Sequence, residues 1–447
     1  MRWLLKGGRL VVPGQGIDAV RDVLLDNGWV RSLDYQGDAS GLDILDVRGM
    51  VVSPGFVDVH THLREPGFEY KETIATGTRS AAAGGFTTVC CMPNTNPVID
   101  NASVVQFVQS KAIGAGPVRV LPMGAVTRGM KQDSLAELGE MAEAGVSAFT
   151  DDAFPVQSAH LMRTAMQYAT IFDLPVVTHC EDKTLTAGAS MHEGYISTIL
   201  GLKGMPRTAE EIQVARNILL AEETACRLHV AHISTRRSVE MVREARRRGI
   251  PVTAEACPHH FSLTDRAVAG EEPGHSGQPY DTNCKMNPPL RTVDDIEAVI
   301  EGLADGVISC IATDHAPHAA EEKDAEFGLA PFGIVGLETA LAVGITYLVN
   351  TRRLELSNLI RLLTIGAAEV ICSPNCPAGL GDLFDGARAD ITVFDPTDEW
   401  KVVPQALLSR SKNTPYSGHL LTGRTKYVFA GGEMVVREGL ALLQTGQ

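Results

Sequence analysis

Ser53-Pro54-Gly55-Phe56-Val57-Asp58-Val59-His60-Thr61-His62-Leu63-Arg64-Glu65-Pro66-Gly67 is the stretch whose reading decides the fold. It reads as a short apolar strand that ends in His60 and His62, with Arg64 one further alternation along. Side chains of a strand alternate between its faces, so residues at i and i+2 point the same way and can share one metal ion. Arg64 in that register would meet an anionic substrate beside the ion. An isolated His-x-His is more often a strand with two polar residues at its exposed end, so the rest of the chain must decide.

Outward from that stretch the chain carries eight apolar β runs: Val52 to His60, Gly85 to Asn94, Val118 to Val126, Val146 to Asp152, Leu174 to Cys180, Arg227 to Ser234, Ile250 to His260 and Val307 to His315. Helical patterns separate them, as over Tyr70 to Ala83, Ser134 to Ala144, Gln157 to Ala169, Ala209 to Glu223 and Arg237 to Arg248. Eight parallel strands each followed by a helix close into a (β/α)8 TIM-type barrel, with its chemistry on the loops at the C-terminal strand ends. Polar residues gather at those ends: His60 and His62, Asn94, Asp151 and Asp152, His179, His232, and Asp314. Random placement would scatter them along helices and strand middles. Long insertions at Asp182 to Arg207 and Phe261 to Arg291, and a third after Asp314, suit lids or substrate contacts.

The flanks read differently. Residues 1–52 give short β patterns at Trp3 to Val12, Val23 to Leu33 and Ile44 to Val47, with Asp26-Asn27-Gly28 as a hairpin turn. After two helices, Leu337 to Leu348 and Leu356 to Ile371, β texture returns at Ala389 to Phe394, Lys426 to Phe429 and Met434 to Val436. Neither flank can bury a core alone. The expected division is α/β: a barrel over 53–370, and a small discontinuous β domain built from 1–52 and 371–447.

Bulk properties narrow the function. The chain has 447 residues, 44% of them hydrophobic, enough for a large core, and a net charge of −15. With no compensating basic patch, that charge argues against nucleic acid or an anionic membrane as partner. The Arg237 to Arg248 run reads as a solvated helix face. No apolar stretch is long enough to span a bilayer, and the N-terminal apolar run breaks too early for a signal peptide. Nine scattered cysteines lack the dense even spacing of a disulfide framework, which points to a reducing, cytoplasmic setting. Four histidines and two carboxylates at strand ends suffice for two divalent metals that share one ligand. Imidazole and carboxylate donors favour zinc, while manganese or cobalt would also fit.

Asp58 to Gly67, Met92-Pro93-Asn94-Thr95, Lys285-Met286-Asn287-Pro288-Pro289-Leu290-Arg291 and Ala312-Thr313-Asp314-His315-Ala316-Pro317-His318 together resemble the class I dihydroorotases of the amidohydrolase superfamily. The resemblance runs from residue 1 to about residue 437. It implies a zinc enzyme with one or two ions per subunit, two favoured, that reversibly hydrolyses the cyclic amide of dihydroorotate to carbamoyl aspartate on the route to UMP. It places His60, His62 and Asp314 on the first metal, and His179 and His232 on the second. Relatives that bridge the metals use a carbamylated Lys at the fourth strand, where this chain has Asp151-Asp152 and no Lys. Class I enzymes use an Asp, so Asp152 is the implied bridge, with Asp151 on the other face in a capping or supporting role. The resemblance also assigns Arg64, Asn94 and His318 to the substrate carboxylate, and Asn287 with the backbone at Phe332 and Gly333 to the ring. Asp314 is the implied proton shuttle between a metal-bridging hydroxide and the leaving nitrogen. Implied partners are the small-molecule substrate, a second copy in a homodimer, and aspartate transcarbamoylase.

Two alternatives compete. Hydantoinases, dihydropyrimidinases and allantoinases share the fold and the His-x-His, but Asp at strand four and Arg64 beside the metal pair speak against their neutral rings. An inactive scaffold for aspartate transcarbamoylase would have lost metal ligands, whereas this chain keeps all of these positions. Singly, His179 and His232 could be core histidines, Asn94 could start a turn, and Arg64 could pair with Glu65 or Glu69. His259, His260, His192 and Glu193 read as structural.

Overall fold

Gly55 divides the opening stretch between two sheets in the computed structural model, which describes residues 2–272 and 278–443. Met1, part of the Phe261 to Arg291 insertion, and 444–447 of the C-terminal segment lie outside the described residues. Val51–Pro54 pairs in parallel with Arg9 and Leu10, and antiparallel with Ile391 to Phe394. Phe56–Thr61 (β1) instead begins a parallel sheet. The Val52 to His60 run is therefore two strands, and the reason is packing. A Cβ on Gly55 would lie 2.2 Å from Thr87 Oγ1, and the Gly55 N–H donates to the Asp390 carbonyl at 2.8 Å.

From β1 the pairing passes to Phe86–Cys91 (β2) and Arg119–Pro122 (β3), all parallel. A second parallel sheet holds Phe149–Thr150 (β4), Val176–Thr178 (β5), Leu228–Val230 (β6), Val252–Ala256 (β7) and Cys310–Ile311 (β8). Single parallel bridges join the sheet edges, Gly124 to Phe149 and Thr61 to His315, so pairing runs continuously round all eight strands. Seven of the expected β runs contain one of these strands in shorter form, and the first, Val52 to His60, overlaps a strand that ends one residue later, at Thr61.

Helices Ile74–Gly84, Ala102–Ala115, Leu138–Glu143, Ala159–Ala169, Thr208–Thr224, Arg236–Arg247 and Val293–Ala304 separate consecutive strands. Thr73, Asn101, Ser158 and Thr235 cap four of them by accepting from first-turn N–H groups, which an apolar residue there could not do. Strand alternation sends Cys90 into the inner core with Val57, Met123 and Val177, and Cys91 into the outer core against the helices. Ala367, Val370 and Ile371 join that inner core from helix Ile365–Ile371. The expected Leu356 to Ile371 helix is thus two, broken at Thr364, whose φ of −126° and ψ of −102° are not helical. Close approach explains the tight packing after the break, since a Cβ on Gly366 would lie 2.4 Å from the Ser309 carbonyl.

The two flanks form one nine-stranded sheet. It joins Arg2–Val12, Ile17–Asp26, Trp29–Ser32, Asp43–Asp46 and Val51–Pro54 to Ile391–Lys401, Leu420–Ala430, Glu433–Arg437 and Leu440–Ala441. Leu5, Leu10, Val23, Ile391 and Phe429 give it a core of its own. The hairpin of Ile17–Asp26 with Trp29–Ser32 turns at Asn27 and Gly28, with φ of 48° and 91°, the left-handed pair that a two-residue turn demands. Among the described residues no helix is long and apolar enough to cross a membrane.

Candidate metal centre

The carboxyl ends of five of the eight strands, β1, β4, β5, β6 and β8, bring six of the expected residues into one buried cluster. Asp152, just after β4, sits at its middle. Its Oδ2 lies 3.3 Å from His60 Nε2 and 3.5 Å from His62 Nε2. Its Oδ1 lies 3.3 Å from His232 Nε2 and 3.5 Å from His179 Nδ1. Asp314 Oδ1 closes the first group, 3.1 Å from His62 Nε2 and 3.4 Å from His60 Nε2. His232 and Asp314 hold positive φ values of 32° and 47°, backbone strain of the kind that collects at working sites.

These residues fit a divalent cation. Ligands about 2.1 Å from one tetrahedral ion stand roughly 3.4 Å from each other, close to the separations here. The proton inventory agrees. Glu255 Oε1 lies 2.5 Å from His60 Nδ1 and draws the ring proton there, so the Nε2 lone pair faces the oxygens of Asp152 and Asp314. A lone pair aimed at two carboxylates is unfavourable unless a cation lies between them. The same demand shows in the titration. Burial disfavours the charged form of His60, yet Asp152, Glu255 and Asp314 outweigh it and push His60 well above the ordinary histidine range. Burial likewise opposes an ionised Asp152, but His60, His179 and His232 hold it well below the usual carboxylate range.

A second corner is cationic. The strand ladder ends at Thr61, His62 donates its N–H to the His315 carbonyl, and Arg64 takes a φ of 64°. Arg64 is therefore not a further alternation of the strand; it turns back from a loop. Its Nε donates to the Pro317 carbonyl at 3.2 Å and its Nη2 lies 3.3 Å from His318 Nε2. His318 Nε2 also lies 2.9 Å from the Phe332 carbonyl, which takes its proton, and Lys71 Nζ approaches His318 Nδ1 at 3.4 Å. The Arg64 contact with His318 is thus two donors facing, not a hydrogen bond. Neither Glu65 nor Glu69 pairs with Arg64, which is 8% exposed and has no ion pair among the described residues. Burial lowers Arg64 to about 10, which keeps it charged at neutrality.

The remaining expected residues line the gap between the corners. Asn94 Oδ1 lies 2.9 Å from His62 Nδ1, which leaves the Asn94 amide donors free to face a ligand. Asn287 Nδ2 donates to Glu181 Oε2 at 2.9 Å on the His179 side. Gly333 has a φ of 131°, and a Cβ there would lie 2.7 Å from Ala316 Cβ. Asp151 turns away, accepting from the N–H groups of Val126 and Thr127 at 2.8 and 3.0 Å and from the Thr127 hydroxyl. It straps the loop after β3 and caps no helix.

Sequence reading passed over three groups. Glu255 orients His60, accepts the His232 N–H at 3.1 Å and meets His229 Nε2 at 3.0 Å. A charge inside the apolar β7 pattern was its only signal. Asp58 binds the Thr313 hydroxyl at 2.6 Å and the His60 N–H at 3.0 Å, tying β1 to the Asp314 loop. Glu181 Oε2 lies 2.9 Å from His179 Nε2. His259 and His260 stay outside the cluster, with His260 Nε2 on the Pro288 carbonyl at 2.9 Å.

Residues 49–238 match the family described as Dihydro-orotase-like. A protein of Pelotomaculum thermopropionicum named dihydroorotase is 51% identical over 98% of this chain and 99% of its own length. One from Caldanaerobacter subterraneus subsp. tengcongensis, of the same name, is 47% identical over 97% of each. In fold the chain is similar to the L-hydantoinase (dihydropyrimidinase) of Arthrobacter aurescens, with a TM-score of 0.87 and 25% identity over 99% of this chain and 97% of that one. The dihydropyrimidinase of Brevibacillus agri follows at a TM-score of 0.85 and 22% identity, over 100% and 97%. Identity near one half, sustained from end to end, lies with the dihydroorotases and not with the hydantoinases, and on that ground the chain belongs to the dihydroorotase family.

Proposed function

We propose that this chain hydrolyses the cyclic amide of dihydroorotate, reversibly, to N-carbamoyl aspartate. The observation that carries the reading is Arg64, a buried guanidinium with no carboxylate partner among the described residues, held beside a cluster of four imidazoles and two carboxylates. Burying an unpaired charge is costly, so its natural counter-ion is a ligand. A ring that carries a carboxylate supplies one; hydantoin and dihydrouracil do not.

In this reading His60, His62 and Asp314 would hold one divalent ion and His179 and His232 a second, with Asp152, whose two oxygens face both groups of imidazoles, able to serve each. Zinc suits the donor set. Such ions, when bound, lower the pKa of a water and polarise the carbonyl under attack. The chain's own residues do the rest. Arg64 and the Asn94 amide bind the substrate carboxylate, with His318 kept neutral by burial and by the cations of Arg64 and Lys71. Asn287 and the backbone at Phe332 and Gly333 orient the ring. Asp314, placed by the Asp58 strap, takes a proton from the attacking water and delivers it to the ring nitrogen as the C–N bond breaks. We read the closed ring of strands, from Phe56 onward, as a (β/α)8 barrel, with the nine-stranded sheet of the two flanks as one small β domain.

Steady-state assays with dihydroorotate, hydantoin and dihydrouracil test this. Turnover of dihydroorotate well above either neutral ring is expected, and preference for a neutral ring would overturn the assignment. Absence of bound divalent metal in active protein would overturn the ligand set.

A further inference from the structure

Two lysines are buried where no carboxylate pairs with them among the described residues. Lys323 closes the short helix Ala320–Lys323 and is 7% exposed. Its Nζ donates to three backbone carbonyls, Thr282 at 3.0 Å, Lys285 at 3.3 Å and Pro331 at 2.9 Å. Lys285 is 2% exposed; its Nζ donates to the carbonyls of Phe327 at 2.7 Å and Gly328 at 3.0 Å. It also stands 4.5 Å from the centroid of the Phe332 ring, within cation–π range.

Among the described residues every acceptor of these two ammonium groups is main chain, and together they belong to two loops that share no strand. One is the 278–291 loop, which carries Asn287; the other is the 319–333 loop, which carries Phe332 and Gly333. Further bonds follow the same seam. Gly333 donates its N–H to the Lys285 carbonyl at 2.9 Å, and Thr282 its hydroxyl to the Lys323 carbonyl at 2.6 Å. Burial pushes Lys285 down to about 8, and burial together with the Lys285 cation pushes Lys323 down to about 7. The fold therefore carries both cations at a cost, and an apolar residue would fill the space without it.

We infer that Lys285 and Lys323 are positioning residues that clamp the 319–333 loop onto the 278–291 loop and so pre-form the pocket for the substrate ring. The inference rests on the proposed function for the identity of the ligand. The clamp itself does not need one. Through Lys285 it sets the height of Phe332 over the site, and through the Lys285 carbonyl it fixes Gly333, whose neighbour Phe332 holds His318. Asn287 lies two residues beyond Lys285 in the same loop. A pocket assembled from loops must either be ordered by substrate or be ordered in advance, and five lysine hydrogen bonds order this one in advance.

Hydrogen exchange and kinetics test the clamp. In the ligand-free wild-type holoenzyme, amides of 319–333, Gly333 above all, are expected to exchange at least tenfold more slowly than those of the exposed 35–41 loop. K323Q and K285Q should speed exchange in both clamped loops about tenfold and leave the nine-stranded sheet unchanged. In the same variants KM for dihydroorotate should rise about tenfold or more, with kcat within about threefold and bound metal unchanged. Fast exchange of 319–333 in the wild type, or variants with unaltered loop exchange and KM, would overturn the inference. The wild-type exchange measurement stands even if a variant does not fold. Failure of the wild type to turn over dihydroorotate would instead defeat the proposed function and leave the exchange result to be read by itself.

Discussion

The metal corner and the cationic corner of this site are built by opposite means. Four histidines and two aspartates converge at or just past strand ends, where buried carboxylates brace part of the cluster, Glu255 holding His60 and Asp58 tying down the Asp314 loop. Arg64, His318, Phe332 and Gly333 come from loops, and backbone carbonyls and lysines brace them. The first corner is rich in negative charge and calls for cations; the second holds an unpaired guanidinium and calls for an anion. A substrate that spans both must offer a carbonyl at one end and a carboxylate at the other. The difference teaches that chemistry and recognition can fail separately, and variants should show it.

The largest effect is expected from metal removal. Dialysis against a chelator should abolish turnover, and zinc should restore it; full activity in metal-free protein would dissolve the distinction between the corners. Next comes Asp314→Asn, which should cost roughly a hundredfold or more in kcat, with little change in KM. Glu255→Gln should weaken metal binding about 10- to 100-fold, because the amide no longer draws the His60 proton to Nδ1. Metal titration would show it, and unchanged affinity would mean that Glu255 only fills space. Arg64→Met belongs to the other corner. It should raise KM for dihydroorotate about tenfold or more and spare kcat at saturation, whereas a loss confined to kcat would break the comparison.

What the sequence revealed follows the same boundary. Strand periodicity placed His60, His62, Asp152, His179 and His232 at strand ends, because an apolar run that stops in a histidine carries its geometry with it. Loops carry no period. Arg64 therefore looked like one more alternation, when its φ of 64° turns it out of the ladder, and the Val52 to His60 run hid the break that Gly55 makes between two sheets. Lys285 stood only as the first residue of a motif and Lys323 only as part of a polar run, since nothing local marks a lysine whose acceptors lie on another loop. Glu255 was legible in principle as a charge inside an apolar strand, but only its contact with His60 gives it meaning.

The smallest effect should arise outside both corners. His192 is buried with its Nδ1 3.1 Å from Arg291 Nη1, which requires a neutral ring, and burial with the Arg291 and Arg207 cations lowers it to about 3. An unfolded histidine titrates near 6.5. Its folded pKa is depressed, so the stability it contributes is complete above pH 6.5 and is lost as pH falls from there toward 3. Between those limits the slope approaches about 1.4 kcal/mol per pH unit for one group. His260, lowered to about 4 by burial, adds a second slope of the same sign. Metal ligands will also protonate in acid, so the total slope cannot be ascribed to one residue, but a difference can. His192→Gln keeps an acceptor for Arg291 and does not titrate; urea unfolding at pH 7.5 and pH 5 should therefore show a smaller acid loss in the variant than in the wild type. Equal losses would mean that His192 is already protonated when folded, and that Arg291 faces it as a second cation, not as a donor.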